Sequence, residues 1–210
     1  MIKIFIADDH PIYREGLKQF LHKSFDRAIV DEASNGGEAF NKISKSDYDV
    51  VLLDIDMPGR NGLEIIKDVK KEKPKLPVLM LSAYPEEQYA IRSFKSGASG
   101  YLTKKSVPSE LIKAIEKVTQ GGKYLTLSIA ERLALTIEGD IEMPPHERLS
   151  NREHQVMCMI ARGNTVKDIS EELSLSESTV STYRKRILEK MGLNKNSEII
   201  SYSIRNGLIE

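Results

Sequence analysis

Val50-Val51-Leu52-Leu53-Asp54 is the stretch that most narrows what this chain can fold into. Four successive apolar residues without alternation read as a strand buried on both faces, the environment of a parallel sheet. The run ends on a carboxylate, and Met57-Pro58-Gly59 then breaks the chain. Asp54 therefore stands where a buried strand opens into a loop. In open α/β sheets, ligands bind outside the carboxyl ends of the strands. A buried strand has no structural need of an aspartate at its tip, so Asp54 asks for a chemical role.

The neighbouring segments repeat the pattern. Ile2 to Ala7 reads as a short strand ending in Asp8-Asp9-His10-Pro11, and Pro11 suits the first position of a helix. That helix is expected to reach about Lys23, with Ile12, Leu17, Phe20 and Leu21 on its apolar face. A second strand begins at Ala28, and a short helix runs from Glu38 to Ser44. The Asp54 strand is followed by a helix from about Asn61 to Lys71, with Leu63, Ile66 and Val69 inward. Pro77 to Ser82 reads as a fourth strand, ending on a hydroxyl, and Glu86 to Lys95 as a helix. Ser99 to Leu102 is a short fifth strand before Thr103-Lys104-Lys105, and Val107 to Gln120 a helix with Leu111, Ile112, Ile115 and Val118 inward. Strands alternating with helices predict an α/β doubly wound, parallel five-stranded sheet covered on both faces.

The strand ends then collect one kind of chemistry. Strand one delivers Asp8 and Asp9, strand three Asp54, strand four Ser82, and strand five Lys104 shortly after it. Any one of these is an ordinary solvated polar group; all of them at one sheet edge form a set. Clustered carboxylates raise each other's pKa values unless a cation joins them. Oxygen ligands in a largely hydrated site suit Mg²⁺. A carboxylate beside Mg²⁺ can attack phosphorus, while the metal, Lys104 and Ser82 answer the charge on the transferring oxygens.

On these residues the first half of the chain resembles the receiver domain of bacterial response regulators. Asp8-Asp9, the Asp54 strand with Met57-Pro58, Leu81-Ser82-Ala83 and Gly100-Tyr101-Leu102-Thr103-Lys104 carry the resemblance over about residues 1–120. It implies a flavodoxin-like sheet of order 2-1-3-4-5 and phosphorylation of Asp54 by a partner histidine kinase. It also implies Mg²⁺ on Asp9, Asp54 and the backbone carbonyl of Asp56, with Asp8 reaching the metal through water. Ser82 and Tyr101 would be the switch pair, Tyr101 moving inward as Ser82 turns to the phosphoryl group. Asp56 and Tyr84 border the acceptor loop, where they are expected to set how long the phosphorylated state lasts. Lys105 is expected to be an exposed surface lysine.

Gly121-Gly122 ends this half, Leu125 to Ile137 can form an amphipathic helix through Ile129, Leu133 and Ile137, and the acidic, Pro-rich stretch from Gly139 to Pro145 reads as a linker. The expected division is a receiver at 1–121, a linker with one helix at 122–146, and a second domain at 147–210. In that domain Ser150 with Glu153 makes a capping box, Thr165 and Ser176 offer further caps, and four short helices joined by tight turns predict an all-α helix-turn-helix unit. On the third helix Val180, Ile187, Leu188 and Met191 share one face, while Ser181, Thr182, Lys185, Arg186, Glu189 and Lys190 lie opposite. Short hydroxyls and a long cation near a helix N-terminus can enter a major groove, and flanking cations can meet phosphates.

Leu149-Ser150-Asn151-Arg152-Glu153, Ala161-Arg162-Gly163, Lys167-Asp168-Ile169, Ser176-Glu177-Ser178-Thr179-Val180 and Lys190-Met191-Gly192-Leu193 resemble the LuxR-type helix-turn-helix. Joined to a receiver, they make the chain similar to the NarL/FixJ family of response regulators. The resemblance implies that Ser181, Thr182 and Lys185 face base edges, with Lys167, Thr179, Tyr183, Arg184 and Arg186 on the DNA backbone. Ser181 and Tyr183 depart from the family's frequent Lys and His, which puts a borrowed target sequence in doubt. Arg184 leans to the apolar side, where its stem can pack while its head reaches out.

The expected function is therefore a transcription regulator, not an enzyme, that works with a histidine kinase, promoter double-stranded DNA and a second copy of itself. Two rivals stay open: a Mg²⁺-dependent aspartyl phosphatase, which multiple turnover on a phosphate ester would reveal, and a DNA-binding protein whose receiver only dimerises or binds a ligand, which Asp54→Ala regulating normally would reveal. Balanced charge, no long apolar run and no evident leader lead to a cytoplasmic protein without a membrane partner. The lone Cys158 reads as a buried small hydrophobe.

Overall fold

The computed structural model describes residues 1–138 and 144–209, with side chains except those of residues 87, 132, 133 and 135–138. The linker stretch at residues 139–143 and the side chains of Leu133 and Ile137 thus lie outside the described residues. The chain divides into two compact units, Met1–Ile129 and Ala130–Glu210.

The first unit is built on strands β1 (Lys3–Ala7), β2 (Ile29–Ala33), β3 (Val50–Asp54), β4 (Val78–Ser82) and β5 (Gly100–Thr103). They form one parallel sheet in the order β2-β1-β3-β4-β5. Helices α1 (Pro11–Ser24), α2 (Gly36–Lys45), α3 (Gly62–Glu72) and α4 (Glu86–Lys95) make the crossovers, and α5 (Pro108–Thr119) follows the last strand. Every residue of β3 and β4 is buried, as their unbroken apolar runs require, whereas edge strand β2 alternates and leaves Ile29 exposed. Because the strands are parallel, all their carboxyl ends meet one edge of the sheet. The order reverses between β1 and β3, so that edge carries a crevice beside Asp54.

Two inward residues of the sequence reading are corrected. Ile12 is 90% exposed, while Leu17 and Leu21 are buried. Five positions from Leu17 is about 140° around a helix, so Ile12 cannot share its face. Half-buried Tyr13 packs on the core in that phase instead. On α5 the buried set is Leu111, Ala114, Ile115 and Val118, with Ile112 only half-buried.

The chain after α5 stays on the first unit for several residues. Tyr124 bridges to Gly100 in parallel, its N–H donating to the Ser99 carbonyl at 2.8 Å. The Thr126 hydroxyl donates to the Glu86 carboxylate at 2.9 Å, just before α6 (Leu127–Glu138).

The second unit holds a short 3-10 turn at Pro145–Arg148 and helices α7 (Asn151–Ala161), α8 (Val166–Glu172), α9 (Glu177–Met191) and α10 (Asn196–Arg205). Its core gathers Val156, Met157, Ile169, Val180, Ile187 and Ile199 from all four helices. Cys158 is buried among them. Ser150 and Thr165 both form reciprocal capping boxes, and Ser176 caps α9 through the Thr179 N–H. At the other end of α9, Gly192 takes φ 67° and Leu193 N–H reaches the Leu188 carbonyl at 2.9 Å, a Schellman stop. No helix among the described residues is long and apolar enough to cross a membrane.

Candidate functional site

The crevice edge of the sheet brings three of the strand-end residues into direct contact. Lys104 Nζ lies 2.7 Å from Asp8 Oδ2 and 2.7 Å from Asp54 Oδ2. Both carboxylates are almost sealed from solvent, 1% and 2% exposed, so neither charge is answered by water. The Lys104 N–H donates to the Ser82 carbonyl at 2.7 Å, which pins the residue after β5 to the end of β4. The ammonium also stands 4.9 Å from the Tyr13 ring centroid.

The backbone under Asp54 is equally constrained. The Gly62 N–H donates to the Ile55 carbonyl at 2.9 Å. A Cβ on Gly62 would fall 2.0 Å from the Asp54 carbonyl oxygen, so α3 can begin this close only with a glycine there. Asn61 caps α3, its side chain accepting from Leu63 N–H at 2.7 Å.

One cation cannot answer this many carboxylates. Burial pushes Asp54 up to about 7; the Asp8 and Asp56 charges push the same way, and Lys104 opposes them. Burial alone would lower Lys104, but Asp54 and Asp8 hold its pKa above the usual lysine value. Ligand atoms of Asp8, Asp9, His10 and Asp54 lie within 4.8 Å of one another. Asp8 Oδ2 and Asp9 Oδ1 are buried, the first 2.7 Å from Lys104 Nζ and the second 2.7 Å from His10 Nδ1. A hard divalent ion fits the three carboxylates of this edge by charge and by donor type.

Ser82, fully buried, sits beside this cluster in a short relay. Its Oγ accepts from the Tyr84 N–H at 3.1 Å and hydrogen-bonds the Tyr101 phenol. The Tyr101 hydroxyl donates to the Tyr84 carbonyl at 2.9 Å, and Tyr101 is turned inward, 1% exposed. Burial drives the Tyr101 phenol far above the usual tyrosine pKa. The Tyr84 hydroxyl in turn donates to the Asp56 carboxylate, so the two loop residues singled out beside Asp54 are bonded to each other. Lys105 is exposed. His10 and Tyr13 were not singled out by sequence reasoning, because their approach to Asp9 and Lys104 depends on how α1 leaves the sheet.

In the second unit, α9 presents Ser181, Thr182, Lys185 and Arg186 to solvent. The Thr182 hydroxyl donates to the Ser178 carbonyl at 2.9 Å, and Lys185 approaches Glu189 at 3.9 Å. Thr179 shares its hydroxyl with Ser176 at 2.8 Å, and Tyr183 packs partly on the core. Arg184 is half-buried, its Nε donating to Asn196 Oδ1 at 2.6 Å at the start of α10. Lys167 is exposed on α8, 4.0 Å from Glu171. Across the core, Lys190 donates to Glu153 Oε2 at 2.6 Å, tying α9 to α7.

Comparison with known proteins gives both units a family. A response regulator receiver domain matches residues 4–116. Bacterial regulatory proteins of the luxR family match residues 147–203. Over 209 residues the chain is 36% identical to the response regulator UvrY of Escherichia coli, covering 99% of this chain and 96% of that one. It is 34% identical over 211 residues to the response regulator GacA of Pseudomonas syringae pv. syringae, covering 100% of this chain and 99% of GacA. Among solved structures, RcsB from Salmonella enterica serovar Typhimurium bound to promoter rprA with the phosphomimetic BeF3⁻ aligns with a TM-score of 0.65 at 26% identity, covering 96% of this chain and 98% of that one.

Proposed function

The chain belongs to the NarL/FixJ-type response regulators, which join a receiver to a LuxR-type helix-turn-helix, and within that family we propose that Asp54 is the phosphoacceptor of a DNA-binding transcription regulator. The observation that carries this is the convergence of Asp8, Asp54 and Lys104, each contact 2.7 Å, at the crevice edge of the sheet. One Asp54 oxygen attacks the phosphorus of a phosphohistidine on the partner kinase. The P–N bond breaks, its electron pair returns to the imidazole, and an acyl phosphate forms on Asp54. Asp8, Asp9, Asp54 and the Asp56 carbonyl would hold Mg²⁺, which supplies charge neutralisation and orientation when bound. Lys104 stays beside the new phosphoryl oxygens, with charge to offer once Asp54 is esterified. Ser82 leaves the Tyr101 phenol to donate to the phosphoryl group; Tyr101, expected to move inward at that step, already points inward here, so the exchange acts on its hydrogen bonds to Ser82 and the Tyr84 carbonyl.

On this reading the receiver spans residues 1–121, the connection 122–146 and the DNA-binding domain 147–210; the hydrogen bond from Thr126 to Glu86 supports a connection that begins on the receiver. Ser181, Thr182 and Lys185 face base edges of promoter DNA. Lys167, Thr179, Tyr183, Arg184 and Arg186 meet its backbone, and the Asn196 contact sets the reach of Arg184. A homodimer presents two recognition helices to two half-sites. The protein works in the cytoplasm, as a regulator rather than a turnover catalyst.

The test is DNA binding and oligomeric state of the purified chain, with and without beryllofluoride plus Mg²⁺, beside Asp54→Ala. DNA fragments selected by the protein from a random pool serve as the probe. Affinity and dimer fraction should both rise in the wild type and stay flat in the variant. Equal behaviour of the two proteins would show that the receiver is only a scaffold.

A further inference from the structure

Beside the acidic cluster stands a group of different chemistry. His10 occupies the turn between β1 and α1, with its N–H donating to Asp8 Oδ1 at 2.8 Å. That bond curls the turn so that the ring lies over the carboxylates. Nδ1 is 2.7 Å from Asp9 Oδ1, 3.2 Å from Asp8 Oδ1 and 3.4 Å from Lys104 Nζ. The rest of the ring faces outward, the side chain being 65% exposed. Nδ1 thus lies within reach of two carboxylate oxygens, and a small cation seated between them would be met by all three lone-pair donors. Pro11 at the first position of α1 fixes the turn, and Arg14 Nη1 donates to the Asp8 carbonyl at 2.7 Å, so the nitrogen is held rather than swept past the site.

We infer that His10 is a nitrogen ligand of the divalent-cation site, turning an oxygen-only Mg²⁺ site into one that favours first-row transition ions. The inference rests on the reading that Asp8, Asp9 and Asp54 hold a divalent cation. Imidazole adds little to Mg²⁺ binding, and its contribution grows from Mn²⁺ to Ni²⁺. Ligands at about 2.0–2.2 Å from one ion must themselves lie within about 4.4 Å of each other; the His10–Asp9 and His10–Asp8 spacings of 2.7 and 3.2 Å meet that bound, while the full set with Asp54, spread over up to 4.8 Å, draws in slightly around an ion. The side chain's 65% exposure leaves the ring in contact with solvent on the side away from the carboxylates.

The experiment uses the full chain and needs no phosphorylation. Mn²⁺ is bound and pulsed electron paramagnetic resonance reads ¹⁴N modulation on the ion; Mg²⁺, Mn²⁺ and Ni²⁺ affinities are measured by calorimetry for wild type, His10→Gln and Asp9→Asn. The inference expects ¹⁴N modulation that disappears in both variants. It also expects the Ni²⁺-to-Mg²⁺ affinity ratio to drop about tenfold or more in His10→Gln. Mn²⁺ that depends on Asp9 but shows no ¹⁴N modulation overturns the inference and leaves the carboxylate site standing. Modulation that survives His10→Gln comes from another nitrogen and also overturns it. If wild type and Asp9→Asn bind all three ions equally weakly, the carboxylate reading falls, and His10 with it.

Discussion

The two units each contain a buried acid paired with a lysine, and the two pairs are tuned in opposite directions. In the first, Asp54 shares Lys104 with Asp8, and burial with like charge pushes its pKa up to about 7. In the second, burial of Glu153 is outweighed by the Lys190 ammonium and the Ser150 cap, which together hold its carboxyl below the usual range. The difference is arithmetic of partners. Glu153 has a cation of its own and a backbone N–H from Ser150 at 2.8 Å, whereas Asp54 has half of one cation and acidic neighbours. A satisfied pair holds two helices together. An unsatisfied one stores a demand for positive charge, which is what a site that binds cations and receives phosphoryl groups needs.

The sharpest way to break the comparison is pH. An acid whose folded pKa is raised carries no penalty below its unfolded value, near 3.8, and the full penalty above about 7. Without divalent ions, Asp54→Asn should therefore stabilise the receiver by a few kcal/mol at pH 8, the gain shrinking to nothing near pH 4. Thermal melts across that range check it; a flat difference would deny the raised pKa. Glu153 must behave oppositely, since a depressed acid contributes stability above its unfolded pKa and loses it as pH falls through the folded one. Glu153→Gln should cost about 2 kcal/mol at neutral pH and almost nothing in strong acid, read by urea unfolding. If it costs the same at both ends, the Lys190 contact is idle.

Smaller effects sharpen the picture. Lys185→Ala should lose about 1–2 kcal/mol of binding to selected DNA and relax one base position, measured by competition between selected and random duplexes. Equal loss on both would move Lys185 to the phosphates. Least of all, Tyr84→Phe and Asp56→Ala should change the rate at which the phosphorylated state decays by the same modest factor, because each removes the hydrogen bond from the Tyr84 hydroxyl to the Asp56 carboxylate. Unequal factors in a double-mutant comparison would separate the two residues.

The sheet and its polar edge were legible because parallel strands leave little freedom. Once Val50–Leu53 and Val78–Leu81 read as buried parallel strands, Asp54 and Ser82 had to emerge at the same carboxyl-end edge of the sheet. Asp8 and Lys104 follow from the same geometry at β1 and β5. Ile12 was misplaced because an apolar side chain says nothing about phase, and only Leu17 and Leu21 fix which way α1 faces. The Tyr13–Lys104 and His10–Asp9 contacts join segments at opposite ends of the receiver or depend on the turn of one ring, and no local pattern encodes either. Arg184 shows the same limit: its lean was visible on the helix, but its Asn196 partner arrives from the next one.

Gly62 gives the crevice edge a vulnerability that its chemistry does not announce. A methyl group there would meet the Asp54 carbonyl at 2.0 Å, so even alanine must shift either α3 or the acceptor strand. In a saturation-mutagenesis screen scored on regulation, a position with no side chain should then tolerate as few substitutions as Asp54 itself. Exposed Ser181 would accept many more in a screen for folding alone. Tolerance maps of the two positions would trace where evolution is free to retarget this regulator and where it is not.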